Sequence, residues 1–106
     1  MKIALVQMDV AHGQPVENKK HVIEMLERAL DDNPDVIVLT EMWNTGYALN
    51  ELDGLADKDG LDSQELLSHF ARKHAVAIIG GSVAIEKDGK FYNTTYVYNK
   101  SGDLIN

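Results

Sequence analysis

The segment DVIVLTEMWNTGY, Asp35 to Tyr47, carries a carboxylate to the end of an apolar, β-branched run. Val36 to Thr40 read as a buried strand, and Glu41 stands at its carboxyl end. A strand can hold such a carboxylate rigidly while letting it face a cleft. That suits a general base, whose oxygens must stay within a fraction of an ångström of the proton they take. A solvent-facing glutamate at a strand terminus is the plainer alternative, and this segment alone does not choose between them.

Other chemistries find less support. The chain has no cysteine, so a disulfide scaffold and a thiol nucleophile within these residues are both excluded. His12, His21, His69 and His74 fall into no recognised ligand spacing with one another or with acidic residues, so no metal site is expected. Gly80 and Gly81 look like the start of a phosphate loop, but no lysine and no full Gly-x-Gly-x-x-Gly pattern follows. They read as close packing near a site. The formal net charge of −7 argues against a nucleic-acid surface and against docking on anionic lipid. The longest apolar runs, IALV and VIVL, are far short of the roughly 20 residues of a membrane span. The first run is also too short for a secretory signal core of about 7–15 residues. A soluble cytoplasmic protein is the expectation.

The elements that would position Glu41 follow from periodicity. Lys2–Met8 reads as a strand covered on both faces. Pro15 suits a first helical turn, and Val22, Ile23, Met25, Leu26, Ala29 and Leu30 give Glu17–Leu30 one inward helical face. The DDNPD stretch stops that helix before the Asp35–Thr40 strand. Glu41–Leu61 is a long connection without periodicity, a length associated with function. Asp62 and Glu65 have capping-box spacing ahead of a second amphipathic helix ending near His74. Val76–Ile79 is a third buried strand. Val83–Glu86 and Phe91–Asn99 form a hairpin around KDGK, and Leu104-Ile105 opens a further strand. The order β-α-β-α-β-β-β implies an α/β fold with a parallel sheet and helices packed on it. Ligands gather beyond the carboxyl ends of such strands, where Glu41, the Gly80–Ser82 turn and the residues after Met8 would meet. Because the last hairpin is only begun, a truncated chain is the expectation.

The ordered set IALVQMDV with Gln7, Asn18 in the first helix, DVIVLTEMWNTGY, AIIGGS and FYNTTYVYNKSGDLI resembles the nitrilase superfamily of carbon–nitrogen hydrolases, over the whole of Met1–Asn106. EMWNTGY and LADKDG are most similar to its omega-amidase-like branch. The resemblance implies the α-β-β-α sandwich of that family, with residues 1–106 as the N-terminal portion of one hydrolase domain. It implies a Glu–Lys–Cys triad in which Glu41 is the general base, with the lysine and cysteine outside these residues. Lys100 does not match the family lysine. Trp43, Gly46 and Tyr47 would form part of a substrate pocket, although packing roles for Trp43 and Tyr47 stay open. Asn93 and Gly81 would be structural residues near the site, Asn93 tying the hairpin to the Glu41 loop. Family members usually have proline where this chain has Thr40. A small amide substrate, an omega-amide of a keto dicarboxylic acid by preference, is implied, with no cofactor and with assembly as a homodimer or larger. Without a cysteine the 106 residues alone are expected to be inactive. A nucleotide or small-molecule binding module and a non-catalytic interaction fragment remain rival readings.

Overall fold

The computed structural model describes all residues from Met1 to Asn106. Strand β1 (Ile3–Leu5) leads to helix α1 (Pro15–Ala29), strand β2 (Val36–Val38), the two-residue strand β3 (Asp57–Lys58) and helix α2 (Leu61–His74). Four strands follow: β4 (Ala77–Ile79), β5 (Val83–Lys87), β6 (Lys90–Thr94) and β7 (Val97–Tyr98). The main sheet has the order β1-β2-β4-β7, with the first three strands parallel and β7 antiparallel to β4. A smaller sheet has the order β3-β5-β6.

Register explains the core. Ala4, Ile37, Ile78 and Tyr98 are successive partners across the main sheet and so share one face. That face packs with Val22 and Leu26 of α1, with Leu67, Phe70 and Ala71 of α2, and with Trp43. In α1 the buried residues are Asn18, Val22 and Leu26, one stripe at intervals of four. Two of the three are apolar, and the asparagine at the N-terminal end points to a structural task.

Several expectations change. The opening strand is shorter than Lys2–Met8 and is not covered on both faces: Ile3 and Leu5 are 55% and 73% exposed. The apolar run correctly marks two apolar faces, but nothing in these residues covers the second. The helix expected over Glu17–Leu30 starts at Pro15 and gives way at Leu30 to a 3₁₀ turn, Leu30–Asp32, closed by Asn33 in the left-handed region at φ 49°. The long connection contains β3, which pairs in parallel with β5. The Asp62–Glu65 capping pair does not form. Gly60 occupies the cap position, and the carboxylate of Asp57 accepts the N–H groups of Asp62 at 3.2 Å and Ser63 at 2.7 Å. A carboxylate at a helix N-terminus satisfies free amides and meets the positive end of the dipole.

The hairpin forms as expected for its first part, with Lys87 opposite Lys90 across a two-residue Asp88-Gly89 turn in which both φ angles are positive. The expected Phe91–Asn99 strand, however, breaks after Thr94, and Val97–Tyr98 crosses to the main sheet beside β4. The crossing is locked where Gly80 donates its N–H to the Tyr96 carbonyl at 2.9 Å. Leu104 does begin further pairing, bridging Tyr98 while Ile105 donates to the Val97 carbonyl at 2.8 Å.

Candidate active site

Glu41 lies three residues past the end of β2, at the carboxyl edge of the main sheet. Its backbone position is set by the turn after the neighbouring strand β4. Leu39 donates to the Ile79 carbonyl at 2.9 Å, and Ser82 donates its N–H to the Thr40 carbonyl at 3.2 Å. Ser82 Oγ then accepts the Met42 N–H at 2.9 Å, and the Ser82 carbonyl accepts the Trp43 N–H at 3.1 Å. Ser82 therefore grips the chain on both sides of Glu41. Met42, buried, sits in the left-handed region at φ 52°. A residue with a Cβ is disfavoured there by roughly 1–2 kcal/mol, so the bonds to Ser82 hold a turn that the isolated sequence would not choose.

The rest of the loop is fastened by two asparagines. Asn44 exchanges two hydrogen bonds with the backbone of Ala84, both at 2.9 Å, as a neighbouring strand residue would. Asn18 accepts from the Ala11 N–H at 2.7 Å and donates to the carbonyls of Ala11 and Asn44, both at 2.8 Å. Helix α1, the segment after β1 and the Glu41 loop thus meet on one buried amide. Each contact satisfies polar groups that would otherwise cost free energy to bury.

The carboxylate itself is exposed. Its two oxygens have different partners: Oε1 accepts the Tyr47 hydroxyl, and Oε2 accepts the Asn93 amide at 3.4 Å. The hydrogen bond to Glu41 is the main influence raising the ionisation of Tyr47 above the ordinary tyrosine value, with desolvation and the glutamate charge adding to it. Ionising the phenol would remove the donated proton and set two negative charges side by side.

Of the residues singled out by sequence, Glu41, Tyr47 and Asn93 come together. Gly81 also serves the site, because a Cβ there would overlap the Thr40 carbonyl oxygen. Trp43 and Gly46 do not reach the carboxylate. The indole of Trp43 is 2% exposed and its Nε1 donates to the Gly80 carbonyl at 2.9 Å, so it is a core anchor for the loop. Gly46, at φ 63°, packs against Val10 and His12 and donates to the Met42 carbonyl at 2.8 Å. The expected cleft is also not enclosed here. The small hollow beside the loop, about 90 Å³, is lined by Lys19, Trp43, Asn44, Asp57 and Asp62 among others, and not by Glu41. The sequence places the Gly80–Ser82 turn near Glu41, but the hydrogen-bonding roles of Ser82 and Asn44 were not foreseen. The only local hint was a polar side chain set among buried neighbours.

The sequence pattern of carbon–nitrogen hydrolases matches residues 2–106. This chain belongs to the carbon–nitrogen hydrolase family. Among curated relatives of this chain, the 2-oxoglutaramate amidase of Bacillus subtilis (strain 168) is 44% identical over 103 residues, covering 97% of the chain and 39% of that protein. The solved structure of Saccharomyces cerevisiae Nit3, described as a member of branch 10 of the nitrilase superfamily, superposes with a TM-score of 0.86 at 26% identity. It covers 100% of the chain and 42% of Nit3. An amidase from Nesterenkonia sp. shares the fold, with a TM-score of 0.78 at 18% identity and 41% of its own length covered. The chain therefore has the nitrilase-type α/β fold and spans about two-fifths of the length of these relatives. No helix in it is long and apolar enough to cross a membrane.

Proposed function

We propose that residues 1–106 form part of a single hydrolase domain and supply its general base, Glu41, for hydrolysis of a small non-peptide amide. The preferred substrate is an omega-amide of a keto dicarboxylic acid, as the name of the Bacillus subtilis relative suggests. The observation that carries this reading is the fixed carboxylate. Glu41 sits at a strand end, its backbone clamped by Ser82 and its oxygens engaged by Tyr47 and Asn93.

In the chemistry implied by the family resemblance, a cysteine thiolate attacks the amide carbon, a strong nucleophile once its proton has gone. Glu41 takes that proton and later activates the water that cleaves the thioester. A lysine ammonium stabilises the oxyanion. No metal or cofactor enters this scheme. The 106 residues contain no cysteine, so this chain alone is inactive under this reading. Assembly as a homodimer or larger and a cytoplasmic location belong to the same proposal.

The test is ammonia release from 2-oxoglutaramate by the full-length gene product. Glu41→Gln is expected to lower kcat/KM by on the order of 10²-fold or more, the usual contribution of a positioned base. Turnover by Glu41→Gln equal to the parent protein would overturn the reading.

A further inference from the structure

We infer that Tyr47 is a positioning residue for Glu41: its hydroxyl on Oε1, with the Asn93 amide on Oε2, holds an exposed carboxylate in one orientation. The role rests on the hydrolase reading for its purpose, but the pairing is a property of this chain. Glu41 opens the turn after β2 and is solvent-accessible. A glutamate side chain has three rotatable bonds, and an exposed one keeps their freedom unless specific partners hold its carboxylate. Two donors from different elements, Tyr47 from the same loop and Asn93 from β6, each engage one carboxylate oxygen and restrict that freedom.

The two donors also leave the base competent. Each carboxylate oxygen has two lone pairs, and each partner uses one. A lone pair on either oxygen remains for an incoming proton. The phenol gives its proton to the bond without losing it, because the adjacent carboxylate raises its own ionisation. Tyr47 therefore stays a donor across the neutral and mildly alkaline range, whereas an ionised tyrosine would repel Glu41.

Tyr47 is 60% exposed, so removing its hydroxyl takes little from the core, and Tyr47→Phe should fold. That makes two separate readouts possible. The first uses this chain. Ultraviolet titration of the four tyrosines in the parent and in Tyr47→Phe isolates the Tyr47 transition by difference. It is expected above the ordinary value, and Glu41→Gln is expected to bring it down by removing the neighbouring charge. A Tyr47 transition that Glu41→Gln does not move overturns the pairing.

The second readout uses the full-length gene product. A base held less well slows the chemical step, so Tyr47→Phe should lower kcat on the order of tenfold, a part of the base's whole effect. KM should stay within about twofold, because uniform binding is untouched. A rise in KM with kcat unchanged would overturn the inference in favour of a substrate contact, while leaving the hydrolase reading intact. Full activity in Glu41→Gln would instead remove the hydrolase reading and the positioning role with it, whatever the titration shows.

Discussion

Gly81 packs against Thr40, the residue immediately before Glu41, so closely that a methyl group on Gly81 would overlap the Thr40 carbonyl oxygen. The next residue, Ser82, donates its N–H to that same carbonyl. The turn after β4 thus dictates where the chain stands as it leaves β2. Threonine in place of the family's usual proline costs little rigidity here, because the restraint comes from the neighbouring strand's turn.

Gly81→Ala should be severe. It combines a left-handed backbone, φ 60°, with a collision against main chain that cannot rotate away. Strain of this kind costs about 1–3 kcal/mol and overpacking a similar amount. Gly54→Ala is the matched control, since Gly54 has φ 83° but nothing within 4 Å of an added Cβ. Thermal unfolding should show Gly81→Ala losing at least roughly twice the stability lost by Gly54→Ala, or failing to fold. Equal losses would mean that strain alone acts and that the contact with Thr40 carries no weight.

The parts of this site that sequence could reveal are those with local signatures. Helices α1 and α2 announce themselves by apolar spacing, and Glu41 by standing at the end of a β-branched run. Asp88-Gly89 marks its own turn. What stayed hidden depends on partners distant in the chain. Ser82 and Met42 are 40 residues apart, as are Asn44 and Ala84, and a serine after two glycines reads locally as an ordinary turn. The cap of α2 misleads for the same reason. Asp62 and Glu65 have the right spacing, yet Asp57 arrives first because β3 pairs with β5 and delivers its carboxylate to the helix. Trp43 shows the limit of residue type as evidence: an indole two residues from Glu41 anchors the loop from within the core.

Acid should act on the first strand through Asp35. Its carboxyl lies below the ordinary aspartate range, chiefly because the Lys2 N–H donates to Oδ2 at 2.7 Å. Partial desolvation opposes this, and Lys100, 3.7 Å from Oδ1, and the N-terminal ammonium assist it. A depressed folded value means the unfolded chain binds the proton more readily. The stabilisation is therefore complete above the ordinary carboxylate range, near pH 4, and disappears as pH falls through the lower folded value. Asp35→Asn should be less stable than the parent at pH 7 in urea unfolding. The gap should close as pH drops from about 4 to 2. A gap of constant size from pH 7 to pH 2 would show that the charge on Asp35 contributes nothing.

The second face of the main sheet is open and apolar. Ile3, Leu5 and Ile79 are 55%, 73% and 40% exposed, on the side of the sheet opposite the two helices. Parallel sheets are ordinarily covered on both faces, and a contiguous apolar surface of this kind drives association. Strand β1 is also an edge strand, with one row of backbone groups unpaired. The 106-residue chain should therefore self-associate in a concentration-dependent way, detected by sedimentation equilibrium. Leu5→Lys combined with Ile79→Lys should weaken that association by at least about tenfold in Kd. Both side chains are exposed, so the thermal midpoint of the dilute chain should change little. If the double variant associates as strongly as its parent, the open sheet face is not the surface that drives it.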